Sequence, residues 1–188
     1  MSDSADGTER TGSPAATDVP DGRTAPVTAP APPPLVEAAW LYRAGEVCLE
    51  ELPMGAAHAL AAGWDTPSLR ELAGLPRRAV AADIRDAFVA ALEELGIPLP
   101  DRPLSLRYAL RRLAVRFAAG EVGLAGTASD EWAEVEAETA EERAFLALLP
   151  SCACCVAYTL GLDDKEWEVQ LRAAAQDLIA RPAVGPGL

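Results

Sequence analysis

Pro103-Leu-Ser-Leu-Arg-Tyr-Ala-Leu-Arg-Arg-Leu-Ala-Val-Arg-Phe-Ala-Ala-Gly120 decides the fold class. Leu106, Leu110, Leu113 and Phe117 recur at helical spacing and form one apolar stripe, while Arg107, Arg111, Arg112 and Arg116 lie away from it. Pro103 suits the first turn of a helix and Gly120 a stop after its end. The spacing predicts a helix that packs one side and shows its arginines on the other. That arginine face is either a binding surface or, if the seven acids between Asp130 and Glu142 reach it, an internal belt of ion pairs.

The same period runs outward in both directions. Upstream, Ile84, Phe88, Ala91/Leu92 and Leu95 mark a helix closed by Gly96, and Asp65-Thr66-Pro67-Ser68 reads as the capped start of a short one. Pro53 suits the first turn of a helix running to Gly63, and Leu35, Val36, Ala39 and Trp40 mark the first helix, loosening at Gly45. Downstream, Gly120, Gly123 and Gly126 punctuate a connection, and Thr139-Ala-Glu-Glu142 has the form of a capping box. Pro150 breaks or kinks that helix just before the cysteines. A last helix carries Trp167, Leu171, Ala174 and Leu178 behind Asp163-Asp-Lys-Glu166, with Pro182 beyond its end. No stretch alternates with period two. The expectation is an all-α protein, a compact orthogonal bundle of about seven to eight short helices behind a disordered N-terminal arm.

Residues 1 to 34 form that arm. They hold seven prolines and no aromatic residue, ending in Ala29-Pro-Ala-Pro-Pro-Pro34, a composition that buries too little apolar surface to offset its ordering entropy. Residues 35 to 181 are read as a single helical domain and 182 to 188 as a flexible tail.

The 188 residues carry a formal charge of −13. An excess of that sign repels phosphate backbones and anionic lipid, so nucleic acid and membrane are disfavoured as partners. No apolar run approaches the roughly 20 residues that span a bilayer, and the acidic N-terminus lacks a secretory pattern. Cys48, Cys152, Cys154 and Cys155 are poorly spaced for a disulfide framework, which favours free thiols in the cytoplasm.

Catalytic chemistry finds few candidates. With Cys48 or His58, Cys152, Cys154 and Cys155 could offer four soft donors to zinc or copper(I). Only Cys152 and Cys155 share a helical face, however, and buried cysteine is a common core residue. His58 lies among small apolar neighbours and reads as structural. The carboxylate pairs Glu50/Glu51, Glu93/Glu94 and Glu141/Glu142 diverge by about 100° on a helix and read as solvated faces. Residues 53 to 78 have the outline of a helix-turn-helix, but the second helix brings Arg70 alone, with Arg77 and Arg78 beyond Pro76. No catalytic, metal or cofactor-binding residue is assigned, and no cofactor is expected.

Gly63-Trp-Asp-Thr-Pro-Ser-Leu-Arg-Glu-Leu-Ala-Gly-Leu75, Asp83-Ile-Arg-Asp-Ala-Phe88 and Ala91-Leu-Glu-Glu-Leu-Gly-Ile-Pro98 resemble a group of small uncharacterised actinobacterial helical proteins. The resemblance continues through Arg111-Arg-Leu-Ala and Leu171-Arg-Ala-Ala-Ala-Gln-Asp-Leu-Ile-Ala-Arg181, and implies a compact helical fold without an assigned activity. The leading expectation is a non-enzymatic acidic protein that binds a protein partner, as an accessory or immunity-type factor. The alternatives are a metal- or redox-responsive protein using Cys152 to Cys155 and a DNA-binding regulator using residues 53 to 78.

Overall fold

Helix boundaries follow the local signals closely. In the computed structural model, which describes residues 33–151, 161–182 and 185–186, the chain forms α1 (Pro33–Ala44), α2 (Leu52–Ala61), α3 (Pro67–Gly74), α4 (Ala81–Glu94), α5 (Arg102–Ala118), α6 (Ala140–Leu146) and α7 (Asp164–Ile179). Short 3-10 turns occupy Leu49–Glu51, Leu124–Thr127 and Asp130–Glu134, and no strand occurs among the described residues. The protein is all-α. The expected disorder of residues 1 to 32 lies outside the described residues, and α1 begins at Pro33, two residues before the boundary read from the sequence.

The caps explain the agreement. Thr66 Oγ1 accepts from the Leu69 N–H, Asp163 accepts from the Glu166 N–H, and Thr139 with Glu142 closes a reciprocal capping box. Gly45 ends α1 at φ +86°, where a Cβ would also stand 3.1 Å from the Glu131 carboxylate, so this turn needs glycine twice over.

Residues 31–188 make one unit, within which the apolar side chains sort into two clusters. One is built on α2, α3 and α4 from Leu52, Leu69, Leu72, Ile84, Phe88 and Leu92. The other is built on α5, α6 and α7 from Leu106, Leu110, Phe117, Phe145, Trp167 and Leu171, and includes Trp132. α1 serves both, giving Leu35 and Ala39 to the first and Leu41 and Ala44 to the second.

α5 is the centre of the second cluster, and here the sequence expectation needs correction. The helix meets α1 on one side, α7 on another and the Asp130–Glu134 turn on a third. Tyr108, Ala109 and Ala114 are therefore buried along with the predicted stripe, and so is Arg111, only 8% exposed. The arginine side is not a solvent face. Three neighbours leave only part of the helix to solvent, with Leu104 38% exposed and the Arg116 side chain 43%.

Gly185 lies so close to the Trp40–Tyr108 pair that a Cβ there would come within 2.7 Å of the Tyr108 ring. Among the described residues no helix is long and apolar enough to cross a membrane.

Candidate functional site

The arginines decide what surface remains for function. On α5, Arg107 pairs with Glu138 at 2.6 Å and Glu142 at 2.8 Å, Arg112 with Glu37, and Arg116 with Glu121 at 3.6 Å. Among the described residues Arg111 has no carboxylate partner. Its guanidinium donates to the Leu178, Ile179 and Arg181 carbonyls at 2.6 to 2.7 Å, at and just beyond the C-terminal end of α7. Arg172 of α7 returns the arrangement, donating to the Ala118 carbonyl at the end of α5 and lying over the Phe117 ring at 5.2 Å. Arg102 does the same for α1 through the Arg43 carbonyl, while pairing with Glu131 and Glu134. The belt of internal contacts is thus the outcome on α5, supplied only in part by the acids between Asp130 and Glu142.

Glu142 is the buried member of that belt. It was expected on a solvated face; its side chain is instead 5% exposed. Burial works against its charge, but the hydrogen bond from Arg107, those from the Thr139 and Glu138 N–H groups, and the Arg107 charge together hold the carboxyl below the usual range.

Where α1, the turn at Glu46–Cys48, α2 and α5 come together they leave a cleft of about 590 Å³. Leu35, Leu41, Val47 and Leu52 line it along with Glu37, Glu46, Glu51, Glu121, Arg112, Arg116 and Cys48. Both of its guanidiniums are already engaged, by Glu37 and Glu121, and Glu46 accepts from the Ser129 hydroxyl at 3.0 Å. The excess charge of the lining is negative. Cys48 is exposed and donates to Glu50 Oε2 at 3.2 Å. That hydrogen bond, some burial and the neighbouring Glu51 and Glu50 charges push its thiol up, while the Glu50 N–H and the Cys48 thiol draw the Glu50 carboxyl down. A thiol so held is the reverse of a nucleophile, which needs a depressed pKa.

Other residues singled out from the sequence fall as follows. His58 is exposed on the outer side of α2. Cys152, Cys154 and Cys155 lie outside the described residues, and among the described residues no three His, Cys, Asp or Glu side chains are grouped to hold a metal ion. In the helix-turn-helix outline, Arg70 is engaged by Asp65 through two hydrogen bonds of 2.6 and 2.8 Å, and Ser68 at the start of α3 donates to Glu94. Of the paired carboxylates, Glu94 is drawn down by the Ser68 N–H, the Thr66 hydroxyl and the Ser68 hydroxyl. Glu141 faces Arg181 at 3.7 Å. The cleft escaped sequence reasoning because its lining comes from segments up to 87 positions apart, Pro34 to Glu121, with no local motif among them.

No family model, no curated protein and no solved structure matches this chain.

Proposed function

We propose that this chain is a non-enzymatic acidic binding protein whose partner is a basic protein, in the manner of an accessory or immunity-type factor. The observation that carries this reading is the placement of the arginines. Arg102, Arg107, Arg111, Arg112 and Arg172 are turned to helix ends and buried or neighbouring carboxylates within the fold, so a chain of net charge −13 presents mostly acids outward. Opposite potentials accelerate and orient association. The cleft supports the same reading, because its carboxylates outnumber its guanidiniums. A cytoplasmic location goes with the free thiol of Cys48 and with the spacing of the other cysteines.

The test is affinity capture with the full chain at low salt, followed by elution with rising salt and mass spectrometry. The expected result is a basic protein released by salt, and retained poorly by the triple variant Glu46→Gln, Glu50→Gln, Glu51→Gln, which removes carboxylates of the cleft and of the turn beside it. Capture of DNA, or a partner whose retention is indifferent to salt and to the triple variant, would overturn the proposal.

A further inference from the structure

Beside the Leu49–Glu51 turn, which also borders the cleft, α2 and the end of α3 line a second groove of about 460 Å³. Met54, Ala57 and Leu75 line it with Glu50, Glu51 and Arg77. Met54 is 56% exposed. From Leu52 to Trp64 there is no Asp, Glu, Lys or Arg, in a chain of which 24% of residues are charged, so the outer side of α2 is an uncharged strip that ends on two glutamates. Glu51 also lines the cleft, which makes groove and cleft neighbours across one turn.

We propose that this groove is where the basic partner docks, through a peptide segment that sets one large apolar side chain against Met54, Ala57 and Leu75 and a lysine or arginine against Glu50 and Glu51. The assignment rests on the binding reading above and adds its location and the partner's chemistry. Charge complementarity selects the occupant: the lining sets two carboxylates against the single guanidinium of Arg77, so an apolar segment alone leaves a net negative charge unanswered, and a purely cationic one leaves Met54 in water. Among the described residues two further grooves hold an exposed apolar side chain: that of Val169 on α7, where Lys165, Glu168 and Arg172 sum to one positive charge and repel such a segment, and that of Leu99, 39% exposed, where Glu93 is the single charge.

A random-peptide library panned on the full-length protein at low salt tests the assignment. Selected peptides are expected to combine an aliphatic or aromatic residue with lysine or arginine. They should bind Met54→Ser about tenfold more weakly, Met54→Lys more weakly still, and Val169→Ser as well as the parent. Glu50→Gln with Glu51→Gln should weaken them several-fold and flatten the salt dependence. Amide shifts in nitrogen-15 spectra should concentrate on residues 50–61 and 73–77. Cationic peptides that bind parent and Met54→Ser alike, or shifts centred on α4 or α7, would overturn the groove while leaving an acidic binding protein standing. Failure to select any cationic peptide would overturn both. Circular dichroism of Met54→Ser, at an exposed position, separates lost docking from lost folding.

Discussion

Arg111 shows how much a single side chain can depend on what it meets. Its charge is compensated by oriented carbonyls at a helix C-terminus, where partial negative charge accumulates and where its planar fork can serve several acceptors. Removing it opens a void and strands those acceptors. Arg111→Ala is therefore expected to cost about 3 to 5 kcal/mol in chemical denaturation, where an exposed arginine would cost under about 1 kcal/mol. Arg111→Lys should recover little, since an ammonium cannot reproduce the fork; near-complete recovery would contradict this account. Glu142 gives a pH-dependent counterpart. Its folded pKa is depressed, so its contribution is present above the unfolded value, ~4.3, and disappears as pH falls through the lower folded one. Glu142→Gln should be less stable than the parent by about 2 to 4 kcal/mol at neutral pH, and the difference should shrink in acid as the parent itself becomes protonated. A difference that stays constant from neutral pH down to acid would mean the charge is not what matters.

At the scale of the element, α5 and α7 run antiparallel and each supplies an arginine to the other's C-terminal carbonyls, which ties their relative position to backbone as well as to apolar packing. Leu110 of α5 is fully buried within the second cluster. Leu110→Ala should cost about 2 to 5 kcal/mol through lost burial and a residual cavity. Thr139→Ala, which removes half of the capping box that starts α6, should cost about 1 kcal/mol. Measured by urea titration, comparable losses at the two positions would mean that α6 holds more of the fold than its seven residues suggest.

For the whole molecule, the two apolar clusters raise the question of whether the chain unfolds in one step. α1 contributes buried side chains to both, so neither cluster can open without disturbing the helix that completes the other. A single cooperative transition is expected, with Leu72→Ala from the first cluster and Leu171→Ala from the second each lowering its midpoint by a cost of about 2 to 5 kcal/mol. Circular dichroism and tryptophan fluorescence should trace the same curve, because Trp64 packs with the first cluster and Trp167 with the second. Two separated transitions, each moved by only one of the substitutions, would show that α1 fails to couple them.

The sequence by itself determined where most helices begin and end, the exception being α6, which stops at Leu146 rather than running to Pro150. Thr66, Thr139 and Asp163 act on backbone groups within three residues, and Gly45, Gly63, Gly96 and Gly120 take positive φ at the stops, so both kinds of signal are local and readable in order along the chain. The apolar stripes of α4 and α7 were legible for the same reason. Tertiary structure alone decided the fate of the charges. Whether Arg111 faces water depends on how many neighbours surround α5, and its acceptors stand 67 to 70 positions away. The cleft and the groove beside the Leu49–Glu51 turn likewise exist only where distant helices meet. Periodicity tells which side of a helix is apolar; packing decides how much of the remaining surface is covered.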